Sequence, residues 1–339
     1  MNQILLKRRY LLLAAAGVLI LPLMLNSGSL ASEVLIFALA ALGCNLLLGY
    51  TGLLSFGQGI FFGVGSYTLG ILLTRTGMPM PAVLLAALVV GMAVAAIVGW
   101  LSIRQKGVYF VMLTLALTQM FYFLAYSTPE WTGGDNGLLD IPRLPLSIFG
   151  YVLFPNKSAW QFYGFVAVIF LLVFWGLQRV VDSIFGRTLL AIRDNPARAT
   201  ALGYNIIHFK LLAFMLSGAV TALAGALYAM MTGIAPLTSI NYHMSETILL
   251  VTVIGGTGNL VASLLGAALY VIASDWLSNL WPRWLLLFGF LLMAISLYMQ
   301  GGLWGASKIL LAKIRGKKSG GTAVARPQAA TDSQTQEPL

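Results

Sequence analysis

Apolar runs succeed one another along this chain, separated by brief polar stretches that carry glycine, proline or charge. A helical run of about 17 residues or more can cross a hydrocarbon layer roughly 30 Å thick. The pattern predicts membrane segments over residues 10–27, 31–50, 53–73, 81–102, 107–127, 158–179, 209–231, 245–256, 258–279 and 283–301. The runs are continuous and lack period-two alternation, which disfavours a transmembrane β-barrel. The stretch 245–279 is too long for one ordinary span and is broken at GGTGN, Gly255 to Asn259, so it reads as two elements, one of them short. The expected fold is therefore an all-α integral membrane protein with about ten transmembrane segments, some broken or short.

One segment does not belong in lipid. GRTLLAIRDNPARATALGYNIIHFK, Gly186 to Lys210, carries Arg187, Arg193, Asp194, Arg198 and Lys210, so it must lie in water. Its punctuation is nevertheless helical. Asn195 reads as an N-cap, Pro196 as the first helical residue, and Gly203 as a C-terminal stop. Gly186 to Asp194 reads as a second short helix ended by the Asn-Pro step. Two short helices held outside a membrane body suggest a docking surface for a soluble partner.

Composition agrees. Of 339 residues, 59% are hydrophobic and only 9% charged, against about 25% charged in soluble domains. The mean hydropathy is +0.88. The net charge of +10 sits at span ends and in the C-terminal tail, which fits positive-inside orientation and not nucleic-acid binding. With the N-terminus inside, 16 of the 20 lysines and arginines fall on inside segments, and Arg75, Arg143, Lys157 and Arg283 remain outside. Both termini are then cytoplasmic. The basic start, apolar run and small residues of positions 7–32 fit either a retained span or a cleaved signal peptide, and both begin inside. Residues 1–315 make one transmembrane domain, with a cytoplasmic loop at about 180–208 and an outside loop at about 128–157 where short interfacial helices fit. Residues 316–339 have the composition of a disordered tail. Cys44, the single cysteine, allows neither an intrachain disulfide nor a metal site by itself.

Three segments carry polar groups among apolar ones. In GYTGLLSFGQGIFFGVGSY, Gly49 to Tyr67, spacings such as Gly59 to Gly63 suit close helix packing; alternatively a broken span lets Ser55 and Gln58 face a water-filled path. On the span after Arg104 and Lys106, Thr114, Thr118 and Gln119 either bond a neighbouring helix or line a solute pathway. Gly255, Gly256 and Asn259 mark a helix break exposing backbone amides near mid-membrane, which makes them pathway candidates with Ser55, Gln58, Thr114 and Gln119. No GxxxxGK[ST] pattern occurs, so ATP hydrolysis by this polypeptide is not expected. Glu33, Glu246, Asp275, His208 and His243 lie near span ends, which argues against an ion-coupled carrier. A buried Ser-His or paired-carboxylate arrangement for hydrolysis is not found.

These segments together resemble the permease subunits of branched-chain amino acid ABC importers, and in particular the LivM type over its LivH partner. The resemblance covers about residues 30–305 and rests on GLLSFGQGIFFGVGSY, KGVYFVMLTLA, TGGDNGL, GRTLLAIRDNPARATALGYNIIHFKLLAFMLSGAVTALAGALYA and VTVIGGTGNLVASLLGA. It implies a subunit without cofactor that does no covalent chemistry and sits in a bacterial cytoplasmic membrane. Its implied partners are a second, LivH-like permease, two cytoplasmic ATP-binding subunits and an extracytoplasmic solute-binding protein. The polar insert is similar to the family's coupling loop, which makes Gly186, Arg187, Arg193, Asp194, Asn195, Pro196, Arg198 and Gly203 the coupling candidates. The resemblance implies amino acids as solute, with urea, short amides, and aromatic or dicarboxylic acids as alternatives.

Overall fold

The computed structural model describes residues 2–25, 27–143, 146–148, 151–154, 158–281, 283–298 and 301–305. Helices α1 (Asn2–Met24), α2 (Gly28–Thr51), α3 (Gln58–Arg75), α4 (Met80–Ser102) and α5 (Val108–Tyr126) form the first half. A one-turn helix α6 (Pro129–Thr132) and a hairpin of β1 (Leu146–Ile148) and β2 (Tyr151–Phe154) follow. The second half comprises α7 (Ala159–Asp182), α8 (Ile184–Asp194), α9 (Pro196–Ala201), α10 (Ile206–Thr232), α11 (Tyr242–Gly255), α12 (Leu260–Leu280) and α13 (Trp284–Tyr298).

Six of these helices, α2, α4, α5, α7, α10 and α12, are long and apolar enough to cross a membrane. The remaining four of the expected segments are also helical, as α1, α3, α11 and α13. The hairpin is an addition to the all-α expectation. It lies in the loop between α6 and α7, where short helices alone were expected.

The core is built around α2 and α10. Most of α2 is buried, and α10 packs against α2, α3 and α4. Small residues allow these contacts. A Cβ at Gly65 would overlap the Ala222 carbonyl, and one at Gly225 would overlap the Phe62 carbonyl, so α3 and α10 meet backbone to backbone. Without a hydrophobic drive between helices in lipid, such close approach is the main source of their attraction. Gly59 and Gly63 pack closely as expected, although against Ser245, Asn241 and Ile240 ahead of and within α11. Phe37, Phe62 and Tyr228 fill the space between α2, α3 and α10, with Phe62 and Tyr228 ring centres 5.5 Å apart.

Beyond α10, Arg143 donates through Nε to the Met230 carbonyl (3.2 Å) and through its other nitrogen to Met231. It thereby satisfies carbonyls that a helix C-terminus leaves open. The segment before it bridges Leu138 to Ala235. The tail at 316–339 and Lys157 lie outside the described residues.

Candidate coupling site and the helix breaks beside it

The polar insert folds as α8 and α9. Asn195 caps α9, its Oδ1 accepting from the Arg198 amide at 3.0 Å, and Pro196 occupies the first helical position. Gly203 stops the chain in the left-handed region at φ +86°. α8 lays Leu189 and Ile192 into the body against α2 and α7, both fully buried. Gly186 is buried too; a Cβ there would overlap the Val181 carbonyl, so this residue lets α8 turn tightly off α7 and presents nothing outward.

The charged residues divide into two groups. Arg187, Asp194 and Arg198 are exposed. Leu202, also in the insert, is 73% exposed. Arg193 is also exposed, 39% at its side chain, but it alone of the four reaches back to the body. Its guanidinium donates to the Gly49 carbonyl near the end of α2 and lies 3.3 Å from the Asp194 carboxylate. A Cβ on Gly52 would come 2.9 Å from the Arg193 Cγ, so the αL glycine that ends α2 also makes room for this side chain. Arg193, expected from the sequence at the outer contact, also ties the insert to the body.

Two breaks in helical structure lie near this strut. The first is residues 52–57. The apolar run at 53–56 reads as helix in the sequence, but α3 begins only at Gln58 because Gly52 at φ +71° has ended α2. Irregular backbone within a membrane body must have its polar groups satisfied by protein. Thr114 accepts from the Phe56 amide at 3.2 Å, and Thr118 donates to the Phe56 carbonyl at 2.9 Å. Ser55 accepts from the Gly57 amide at 3.1 Å and Ser245 from the Gly59 amide at 2.7 Å.

Gln58 is fully buried between α3 and α10, where it donates to Ser217 (3.1 Å) and accepts from Thr221 (2.8 Å). All three are buried: Gln58 and Thr114 clamp neighbouring elements together, and Ser55 braces the loop from within. Buried polar groups in this setting bond whatever neighbour replaces water. Gln119 lies half-buried on α5, in the helix that carries the two threonine clamps.

The second break, residues 256–259, separates α11 from α12. Gly256 takes φ +113° and Gly258 φ +84°. Asn259 caps α12, its Oδ1 accepting from the Val261 amide at 3.0 Å, while Gly255 packs against Ala262 and Gly266. The residue that fixes this break was missed. Asn45, fully buried in α2, accepts from the Gly258 amide (2.9 Å) and donates to the Asn259 carbonyl (2.9 Å) and the Ser263 hydroxyl (3.1 Å). A Cβ at Gly258 would lie 3.9 Å from the Arg193 guanidinium. Arg193, Gly49, Asn45 and the second break therefore form one contiguous set.

A helical body with several helices long and apolar enough to span a bilayer, internal breaks and a folded polar insert defines a multi-pass membrane protein. Residues 26–297 match the family described as branched-chain amino acid transport system / permease component, and the chain belongs to that family. It is 27% identical over 302 residues to the high-affinity branched-chain amino acid transport system permease protein LivM of Salmonella typhimurium, covering 83% of this chain and 71% of the relative. Against LivM of Escherichia coli the identity is 26% with the same coverage. The autoinducer 2 import system permease protein LsrC of Salmonella paratyphi B is 29% identical over 276 residues, 76% of this chain and 74% of that one. No solved structure matches the chain.

Proposed function

We propose that this chain is a transmembrane subunit of an ATP-driven importer for branched-chain or related amino acids, with about ten membrane segments and both termini in the cytoplasm. Hydrolysis takes place on two separate ATP-binding subunits, a LivH-like permease completes the membrane body, and an extracytoplasmic binding protein delivers the solute. The carrying observation is the α8–α9 insert. It is folded, strutted to the body by Arg193, and presents Asp194, Arg198 and Leu202 outward. Ile184, Leu202, Tyr204 and Ile207 are all exposed on or next to the insert, and several apolar residues beside polar ones suit a docking surface.

A push on the insert reaches α2 and the second break through Arg193, and rearrangement at the breaks alternates access to the two sides. Amino acids are the favoured solute because the LivM relatives match the larger share of the chain. The likeness to LsrC supports a second reading, a small polar solute of the autoinducer 2 kind.

The test is co-purification of the ATP-binding subunits with the tagged chain, followed by reconstituted uptake of leucine with autoinducer 2 as competitor. Reversing both outer charges, Asp194→Arg with Arg198→Glu, is expected to weaken ATPase retention at least about tenfold, a change of about 1.4 kcal/mol. Unchanged retention with unchanged uptake would remove the docking argument.

A further inference from the structure

A second polar feature lies on the insert side of the body. The turn between α4 and α5 and the joint between α9 and α10 enclose a cavity of about 550 Å³. Arg104 and Lys106 line it from the turn, and Lys210, Asn205, Tyr204 and Thr200 line it from the joint. Three cations thus share one opening with two uncharged groups able to donate hydrogen bonds, Tyr204 and Asn205, the Thr200 hydroxyl donating to the Pro196 carbonyl. None of the lining residues is acidic, and among the described residues none of the three cations has a carboxylate partner.

The rim is apolar. The Arg104 guanidinium lies 4.9 Å from the centre of the Trp100 ring, which is itself exposed. Ile97 on α4 and Val108, Tyr109 and Met112 on α5 are more than half exposed and continue away from the cavity along two lipid-length helices. Trp and Tyr are enriched at the headgroup level of a bilayer. Charged cup and apolar wall meet there.

We propose that this cavity binds the phosphate headgroup of an anionic phospholipid, with the acyl chains lying along α4 and α5. A soluble partner supplies negative charge for the cup but nothing for a wall that runs into the hydrocarbon layer; a phospholipid supplies both. Basic pockets at helix ends on the cytoplasmic side are suited to such headgroups. A bound phosphate would bridge the α4–α5 turn to the α9–α10 joint and so brace the α9 end of the insert, where Arg193 ties the α8 end to α2. The inference rests on the membrane setting of α4, α5 and α10 and not on ATPase coupling, so it stands or falls separately from the docking test.

The experiment counts phosphatidylglycerol and phosphatidylcholine bound to the full purified chain by native mass spectrometry, after exchange with mixed vesicles of the two lipids. The wild type is expected to retain phosphatidylglycerol selectively. Arg104→Gln, Lys106→Gln and Lys210→Gln together are expected to lower that retention on the order of a hundredfold, at about tenfold per 1.4 kcal/mol and the usual contribution of a basic residue at an anionic surface. Lys106→Arg with Lys210→Arg keeps the charge and is expected to stay within about threefold of wild type. If the triple variant does not fold, Lys106→Gln alone, on the exposed turn, is expected to lose about fivefold.

Retention indifferent to these charges overturns the proposal. So does full displacement of the lipid by millimolar inorganic phosphate, which would mark a site for a soluble anion. Loss of the ATP-binding subunits with lipid retention intact would assign the cup to protein docking instead.

Discussion

Replacing Asn45 by alanine removes three hydrogen bonds between α2 and the α11–α12 break in one step. Side-chain hydrogen bonds between membrane helices average about 0.6 kcal/mol and reach about 1.7 kcal/mol, so three together contribute about 2 kcal/mol. The Gly258 amide is also left without its partner in a part-buried setting, which moves the cost toward about 3 kcal/mol, while the Asn259 carbonyl keeps the Ala262 amide. The chain carries its own reporter. Cys44 is the single cysteine, lies next to Asn45 and is 2% exposed, so a thiol-reactive fluorophore reads unfolding of this region directly. At roughly 2–4 °C per kcal/mol for domains of 150–250 residues, the labelling midpoint should fall by about 5 °C or more. Thr51→Val on the same helix is the control. It deletes a bond to the Leu47 carbonyl, which still accepts from the Gly52 and Leu53 amides, and should cost under about 0.5 kcal/mol. An Asn45→Ala midpoint within about 1 °C of the Thr51→Val midpoint would refute the claim that Asn45 holds the break.

Two further outcomes are expected. Arg193→Ala should leave the ATP-binding subunits attached, because the outer residues of the insert are intact, while solute-stimulated hydrolysis in proteoliposomes falls about tenfold; loss of attachment would mean that Arg193 is itself a docking residue. Gly65→Leu should cost about 3 kcal/mol or more, since the added Cβ meets the Ala222 backbone and no rotamer change can relieve it, whereas Gly176→Leu on α7 meets open space. Matching monodisperse size-exclusion profiles for those two variants would rule out the backbone contact between α3 and α10.

What the sequence revealed depended on how local the cause was. Asn195, Pro196 and Gly203 announced α9 because caps and stops act within four residues. The long helices were legible for the same reason: the run at 81–102 became Met80–Ser102, and that at 158–179 became Ala159–Asp182. The break at residues 53–57 was legible only as an alternative to continuous helix, because its backbone is supported by Thr114 and Thr118 on another helix, about 60 positions away. Asn45 was invisible as one polar residue in an apolar run, with partners 213 to 218 positions downstream. Arg193 was legible as a charged residue that needs water, but its turn toward Gly49 depends on α8 burying Leu189 and Ile192.

The two breaks are not held alike, and the difference bears on where the body yields. Around residues 52–57, side chains from α5 and α11 and from the loop itself supply hydrogen bonds to Phe56, Gly57 and Gly59, and Gln58, bonded to Ser217 and Thr221, anchors the start of α3 to α10. Moving that segment requires several of those bonds to exchange together. At residues 256–259, one side chain from α2 makes all the side-chain bonds that α2 supplies, and the backbone there already takes glycine-only angles. A local rearrangement at the second break therefore breaks fewer side-chain hydrogen bonds than one at the first. Arg193 reaches the end of α2 at Gly49, one helical turn from Asn45. The strut from the insert thus arrives beside the joint with fewer side-chain hydrogen bonds to break, which is why Asn45 is the residue on which the proposed coupling route most directly depends.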